Sequence, residues 1–174
     1  MPVSQSLDVA SDAFKLSGRH LIEASAGTGK TYSITRLYLR LLLEKGLSVQ
    51  QILVMTFTRA ATEELRGRIA ATLREAIEQW DDLATQDPFF STLQARGFDA
   101  ERVRNILAPA LLLLDEAAVF TIHGFCKRAL NTQAFASGLA LQLSMESDSR
   151  EALLSAVQDW WRQTCQDSDK AALL

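Results

Sequence analysis

Apolar residues occur along this chain in two alternating patterns, and each pattern predicts a different element. Short apolar runs bounded by turn residues are found at residues 21–24, 52–57 and 119–122, and such runs are typical of buried strands in a parallel sheet. Between these runs, apolar residues recur every three or four positions, which is the spacing of an amphipathic helix. Strands that alternate with helices in this way predict an α/β sheet with right-handed crossovers.

The helical spacing and the signals at its ends give approximate bounds for the helices. Thr58 and Asp99 are of the types that cap helix N-termini, while Gly46 and Gly97 mark C-terminal ends. Pro109 is expected to kink or break the helix that follows Asp99. The predicted helices cover residues 9–16, 31–44, 59–80, 89–96, 100–117, 125–135 and 149–165.

The strongest candidate for chemistry lies between the first predicted strand and the first long helix. The segment follows the pattern of a phosphate-binding P-loop, G-x-x-x-x-G-K-[ST], except that its first position is alanine. A glycine-rich turn that carries a surface lysine by chance is the alternative, and the position of Gly-Lys-Thr between a strand and a helix disfavours it. The predicted nucleotide-binding residues are Ala24, Ser25, Ala26, Gly27, Thr28, Gly29, Lys30 and Thr31.

The residue types in this loop each have a physical role toward a triphosphate. Gly27 and Gly29 let the backbone curl so that successive N–H groups point at phosphate oxygens. The N-terminus of the following helix adds a partial positive charge. Lys30 is the predicted catalytic residue because it reaches the β- and γ-phosphates, and the Thr31 hydroxyl is placed to ligate Mg²⁺. ATP and Mg²⁺ are therefore the predicted cofactors.

Polar and aromatic side chains also follow the two other predicted strands. Thr56, Phe57 and Thr58 end one strand, and Thr121 and His123 end the other. Open α/β sheets bind ligands at the carboxyl ends of their strands, where an aromatic ring is able to stack on a nucleic-acid base. Spacing alone nevertheless favours a structural role, with Phe57 in the core and Thr58 as a helix cap. A lone histidine such as His123 is also more often structural than functional.

Four leucines followed by Asp115 and Glu116 imitate a Walker B strand, in which an acidic pair binds Mg²⁺ and activates water. Leucine favours helices, however, and the residue types typical of strands come later, at residues 119–122. We therefore predict that residues 111–116 continue a helix and supply no catalytic acid.

Composition limits the remaining possibilities. The chain has 174 residues, 48% of them hydrophobic, and a net charge of −3, so any contact with DNA is expected to come from local patches and not from a strongly basic surface. Cys126 and Cys165 are too few for a disulfide scaffold and are predicted to be small buried hydrophobic residues in a reducing cytoplasm. No secretory signal and no apolar run long enough to span a bilayer is visible, so we expect no membrane partner.

Three segments together resemble a known family. The segments LIEASAGTGKT, TFTRAATEELRGRI and VFTIHGFC are similar to the first motifs of superfamily 1, UvrD-like DNA helicases, and most similar to those of the beta subunits of exodeoxyribonuclease V. The likeness covers about residues 21–135, and it extends more weakly to the end of the chain. One departure is Arg59-Ala60, where general members of the superfamily have Asn-Lys.

The resemblance implies a fold and a function. It implies an incomplete RecA-like P-loop sheet flanked by helices over residues 1–137, followed by the start of a helical insert domain over residues 138–174. Gly27, Gly29, Lys30 and Thr31 would bind ATP–Mg²⁺. Single-stranded DNA would contact Thr56, Phe57, Thr58, Thr121 and His123.

For the whole protein, the resemblance implies ATP-driven 3′→5′ translocation along DNA, coupled to exonuclease activity in recombinational repair of double-strand breaks. The implied partners are DNA, as single strands and duplex ends, and the gamma and alpha subunits of exodeoxyribonuclease V. The family's Walker B motif, arginine fingers and nuclease site would lie beyond Leu174, so the chain is expected to be an N-terminal fragment that binds nucleotide weakly and does not hydrolyse it at a useful rate.

Two other functions remain open at the level of sequence. One is a self-contained small P-loop NTPase or kinase, which would need its own Walker B acid, and the only candidate is the Asp-Glu pair after Leu114. The other is a non-catalytic interaction module with a vestigial P-loop. The intact Gly-Lys-Thr disfavours the second.

Overall fold

The structure, a computed structural model, describes residues 14–22, 29–132 and 149–166. These belong to two compact units, which comprise residues 1–125 and 126–174. The helices and strands of the first unit, in chain order, are α1 (Lys30–Lys45), β1 (Val54–Thr56), α2 (Arg59–Glu78), α3 (Trp80–Gln86), α4 (Pro88–Ala95), α5 (Ala100–Leu112), a 3₁₀ turn (Leu114–Glu116) and β2 (Val119–Thr121). Helix α6 (Ile122–Thr132) starts in the first unit and ends in the second, which also contains α7 (Arg150–Gln166).

The two strands pair in parallel, as the sequence predicts for these two apolar runs. Val54 lies opposite Val119 and Thr56 lies opposite Thr121, and the N–H of Val54 donates to the carbonyl of Ala118 over 2.9 Å. Two strands that run in the same direction require a crossover between them, and here α2, α3, α4 and α5 make it. The fold is thus a helix-rich α/β arrangement around a small parallel sheet.

The core of the first unit forms where α2 packs against α1 and α5. Its fully buried side chains come from all three helices and include Leu39, Ile69 and Leu107. Trp80, at the start of α3, is also buried in this core, and its indole N–H donates to the carbonyl of Phe98 over 2.8 Å. Burial of apolar side chains at helical spacing is therefore what holds the helices together.

Local capping signals are confirmed in detail. The Thr58 hydroxyl accepts from the N–H of Ala61 over 3.1 Å, and the Asp99 carboxylate accepts from the N–H of Arg102 over 2.8 Å. Gly46 ends α1 in the left-handed conformation with φ of 61°. These are the side-chain and glycine caps that helix termini require.

Three predicted elements differ in extent. The helix predicted over residues 59–80 ends at Glu78, because Gln79 leaves the helical conformation with φ of −129° and ψ of 30°, and a separate helix that the sequence did not predict, α3, begins at Trp80. Helix α5 passes through Pro109 without a break and stops at Leu112, short of residue 117. Helix α6 starts at Ile122 and not at residue 125, so it follows β2 without a turn, and its predicted last residues, 133–135, lie outside the described part.

The predicted strand over residues 21–24 is not observed in its described part. Leu21 and Ile22 have no regular structure, Leu21 is 87% exposed, and the next two residues lie outside the described chain. A strand exists only where a neighbour takes up its backbone hydrogen bonds, and among the described residues β1 and β2 pair with each other. The predicted helix over 9–16 is likewise absent at residues 14–16, and residues 9–13 lie outside the described part.

The prediction for the cysteines was wrong. Cys126 in α6 and Cys165 in α7 are both exposed. A free cysteine commonly behaves as a small buried hydrophobic residue, but most side chains of these two helices are solvent-exposed in the described structure. Within residues 14–22, 29–132 and 149–166, no helix is long and apolar enough to cross a membrane.

Candidate nucleotide and nucleic-acid sites

The described end of the predicted P-loop is the N-terminus of α1. Gly29 precedes the helix in the left-handed conformation with φ of 82°, which side chains rarely adopt, so glycine is required there. The N–H of Ser33 makes the first helical bond, 2.9 Å to the carbonyl of Gly29. No described side chain caps this end, and its first turn contains no acidic residue. The predicted loop residues 24–28 lie outside the described part.

An open groove of about 250 Å³ lies beside this helix start. Thr31, Tyr32 and Thr35 of α1 form one wall, and α2 forms the other with Arg68, Ala71, Thr72 and Glu75. Arg68 also pairs with Glu64 on the exposed surface of α2, at 2.9 Å. Two charged residues of α2, Arg68 and Glu75, therefore line the groove beside Thr31.

A cluster that the sequence did not reveal lies next to this groove. The Arg36 guanidinium is buried and donates to Asp87 Oδ2 over 2.5 Å, and the Tyr32 hydroxyl lies 3.4 Å from the same oxygen. The guanidinium also stacks on the ring of Tyr32, at 3.9 Å from its centroid, and on the rings of Phe89 and Phe90. Burial, with Asp87 acting in the same direction, raises the pKa of Tyr32 above its ordinary value.

The carboxylate of Asp87 also caps a helix. Its Oδ1 accepts from the N–H of Phe89 over 2.9 Å and so caps α4. Nothing in the sequence around Asp87 indicates that its carboxylate also binds an arginine, because Arg36 lies in a helix far back along the chain. One nitrogen of Arg36, Nη1, is buried and has no hydrogen-bond partner in the described part of the molecule.

The predicted DNA-binding residues come together at one edge of the sheet. Thr56 and Thr121 end β1 and β2 opposite each other, and Phe57, Thr58 and His123 follow directly. Phe57 is 87% exposed, so its predicted place in the core was wrong. Thr58 does cap α2, as the structural interpretation predicted.

The hydroxyls at this edge are occupied by internal hydrogen bonds. Thr56 Oγ1 lies 2.6 Å from Thr62 Oγ1 and donates to the carbonyl of Thr58 over 3.1 Å. Thr121 Oγ1 accepts from the N–H of Gly124 over 3.0 Å, at the start of α6. These bonds fix the backbone at the ends of both strands, and the Phe57 ring and the His123 side chain are exposed beside them.

The two predicted sites are distinct in the described structure. Thr31 faces Thr72 across the groove, whereas the edge with Phe57 adjoins the N-terminal end of α2 at Arg59. At 1.5 Å of rise per residue, Thr72 is roughly 20 Å along α2 from its start. Among the described residues, no cluster of His, Cys, Asp or Glu suits a metal ion.

The Walker B imitation does not form a strand, although the helix predicted to continue over residues 111–116 ends at Leu112. Leu111 and Leu112 end α5, and Asp115 and Glu116 lie in the 3₁₀ turn before β2, at the opposite end of that strand from Thr121. Glu116 accepts a hydrogen bond from the Gln50 amide over 2.5 Å. The acidic pair is therefore not at the edge of the sheet where a catalytic acid would be needed.

The chain is similar to a family model and to several known proteins. The model of the family described as "UvrD/REP helicase N-terminal domain" matches residues 7–173. The chain is 44% identical over 158 residues to the RecBCD enzyme subunit RecB of Escherichia coli, which covers 86% of the chain and 13% of that protein. It is 41% identical to RecB of Haemophilus influenzae over 82% of the chain, and 33% identical to RecB of Mycobacterium tuberculosis over 80%. The chain thus spans about one eighth of the length of these relatives.

Proposed function

The chain belongs to the family of UvrD/REP helicase N-terminal domains, and from this premise we propose that it is the ATP-binding part of an ATP-dependent DNA helicase subunit. The observation that carries the proposal is the Gly-Lys-Thr sequence at the N-terminus of α1, where no side chain caps the helix and the glycine, Gly29, has the left-handed conformation. The finer assignment is a RecA-like P-loop domain over residues 1–137 and the start of a helical insert over residues 138–174.

The residues present fit a nucleotide triphosphate. The α1 terminus directs backbone N–H groups outward, has no acidic side chain in its first turn and carries Lys30 and Thr31 there. Such an end attracts anions because unpaired N–H groups and the helix dipole act together. We assign phosphate binding to Gly29, Lys30 and Thr31, with residues 24–28 completing the loop and Thr31 as the Mg²⁺ ligand. Bound ATP supplies the free energy that drives movement along DNA.

Hydrolysis needs more than this loop. Phosphoryl transfer requires an acid that positions water and a cation that stabilises the developing charge. Both described strands end in threonine, and the Asp115-Glu116 pair lies elsewhere. We therefore propose that this chain binds nucleotide without hydrolysing it at a useful rate. The same observation disfavours a self-contained kinase or NTPase.

The edge formed by Thr56, Phe57, Thr58, Thr121 and His123 is our proposed contact for single-stranded DNA. The exposed Phe57 ring is available for stacking on a base, a contact that tolerates any sequence. By similarity to the RecB relatives, we propose that the whole protein unwinds and degrades DNA from duplex ends in the 3′→5′ direction. Double-strand-break repair in the cytoplasm is then its process, with the gamma and alpha subunits of exodeoxyribonuclease V as its partners.

Thermal unfolding with and without Mg–ATP tests the nucleotide site. A ligand at about 100 times its dissociation constant adds roughly 2.7 kcal/mol to the free energy of unfolding. For a chain of this size, we expect the unfolding temperature to rise by about 5–10 °C. Lys30→Ala should abolish the rise, while Lys45→Ala, at the other end of α1, should retain it. A shift that survives Lys30→Ala, or ATPase activity that depends on Lys30 in the homogeneous chain, would contradict the proposal.

A further inference from the structure

The first turn of α1 carries Lys30 and Thr31, and it begins at a glycine that offers no capping side chain. A helix end without a cap loses its first hydrogen bonds easily unless contacts from elsewhere in the fold hold it. Tyr32, the residue after Thr31, makes such a contact, because its hydroxyl lies 3.4 Å from Asp87 Oδ2. The start of the helix is thereby tied to the boundary between α3 and α4.

Asp87 is itself held in place. Its Oδ1 accepts from the N–H of Phe89 within α4, and its Oδ2 accepts from Arg36 over 2.5 Å. The Arg36 guanidinium completes the connection, since it stacks on the Tyr32 ring at 3.9 Å from the centroid. A carboxylate fixed to α4 and a buried arginine one turn farther along α1 thus hold the side chain that follows Thr31.

From this geometry we propose that Asp87 and Arg36 are positioning residues for nucleotide binding. They act through Tyr32 to keep the first turn of α1 in the conformation that presents Lys30 and Thr31 to the phosphates. The inference rests on the proposed ATP site and extends it to residues that no motif of the P-loop includes. Without the restraint, the competent conformation is populated only in part, and the apparent affinity falls by that fraction.

The variant Asp87→Asn isolates the restraint. Asparagine still caps a helix, so α4 is able to form, but the ion pair that fixes both Arg36 and the oxygen facing Tyr32 is lost. The matched control is Glu44→Gln at the far end of α1. Glu44 is hydrogen-bonded to Arg40, a second buried arginine of the same helix, and to Arg96 at 3.2 Å. Each variant removes one negative charge from a partner of a buried arginine, but only Asp87 adjoins the first turn.

The measurement is the dissociation constant for Mg–ATP by titration calorimetry, on wild type and both variants of the whole chain. If the competent turn is populated to about 10–20% in Asp87→Asn, binding weakens about five- to tenfold. Loss of the negative charge of Asp87 also relieves electrostatic repulsion of the anionic ligand, which by itself would strengthen binding. Weaker binding therefore indicates that Asp87 acts by positioning. Glu44→Gln should bind as the wild type does, even where its unfolding temperature falls.

Three results would overturn the inference. They are unchanged or tighter binding by Asp87→Asn, equal weakening by Glu44→Gln, and, should Asp87→Asn fail to fold, unchanged binding by Tyr32→Phe, which removes only the hydroxyl contact. We expect Tyr32→Phe to bind about twofold more weakly. If the wild type itself does not bind Mg–ATP, or if Lys30→Ala binds equally well, the proposed nucleotide site fails and the inference fails with it. If the inference alone fails, Lys30→Ala still loses binding of Mg–ATP.

Discussion

Thr56 and Thr121 are register partners at the last positions of two parallel strands. Because both strands run in the same direction, the helices that follow them, α2 and α6, start at the same edge of the sheet. Thr58 caps the first of these helices, and Thr121 accepts a hydrogen bond in the first turn of the second. The edge is thus fixed by side-chain hydrogen bonds, and Phe57 projects from it into solvent.

Phe57→Ala should weaken binding of single-stranded DNA without affecting stability. Stacking of a base on an aromatic ring contributes about 1–3 kcal/mol, so we expect a loss of roughly tenfold or more in affinity. Fluorescence anisotropy with a labelled oligothymidine at low salt provides the measurement. Leu112→Ala is the control, because Leu112 is 84% exposed but lies at the end of α5. Equal binding by wild type and Phe57→Ala would remove Phe57 from the proposed interface.

Thr58→Ala should lower stability through loss of the cap on α2. Loss of a threonine N-cap costs about 0.5–2 kcal/mol, because the N–H of Ala61 loses its acceptor. The unfolding temperature should fall by about 2–6 °C in calorimetry. Thr58→Ser keeps the hydroxyl and should restore most of the loss. If serine is no better than alanine, the hydroxyl has no capping function.

Trp80→Phe should destabilise the first unit by about 1–3 kcal/mol, because the Phe98 carbonyl loses its buried donor and a smaller ring leaves a gap. Trp80 is 2% exposed and also packs edge-on against Phe90 at 5.5 Å. Urea unfolding followed by circular dichroism measures the change. Trp160→Phe, on the exposed surface of α7, should leave the midpoint where it is. Equal midpoints for the two variants would contradict the buried position of Trp80.

Stability should decrease at alkaline pH because of Tyr38. This side chain is 2% exposed, and burial raises its pKa from 10.0 to about 12. Between these values the unfolded state releases the phenolic proton while the folded state keeps it, so the free energy of unfolding falls as pH rises from about 10 to 12. The expected loss is on the order of 1–3 kcal/mol, measured by urea unfolding at pH 8, 10 and 11.

Tyr38→Phe provides the control for this pH effect. The Tyr38 hydroxyl is buried and has no hydrogen-bond partner in residues 14–22, 29–132 and 149–166. Removing it should flatten the alkaline decrease and raise stability at pH 8 by about 1 kcal/mol, because an unpaired buried hydroxyl is costly. A decrease that is as steep in Tyr38→Phe as in wild type would assign the effect to another group.

The sequence predicts best what depends on neighbouring residues. The caps at Thr58 and Asp99 and the glycine end at Gly46 are each set within one helical turn, and all three are as predicted. It was also predictable that Asp115 does not end a strand, because the leucines before it favour a helix over a strand. Local chemistry of this kind does not depend on which distant segment packs nearby.

Contacts between distant segments were beyond the reach of pattern analysis. Periodicity placed Phe57 in the core because it continues an apolar run, but the run extends past the end of β1 and leaves the ring in solvent. The pair of Arg36 and Asp87 joins helices with more than a third of the first unit between them, and no local spacing indicates it. Leu21 shows the same limit, since a strand depends on a neighbour as well as on its own residues.

The parallel pairing of β1 and β2 has a consequence for the order of folding. Residues 57–118 lie between the paired strands, so the pairing closes a long chain segment that gains its contacts only when the intervening helices have formed. Closing such a segment is entropically costly, and non-local pairings of this kind slow folding. We expect α1, α2 and α5 to associate first and the two strands to join last. The edge that carries Phe57 would then be among the last parts of the first unit to acquire its final shape.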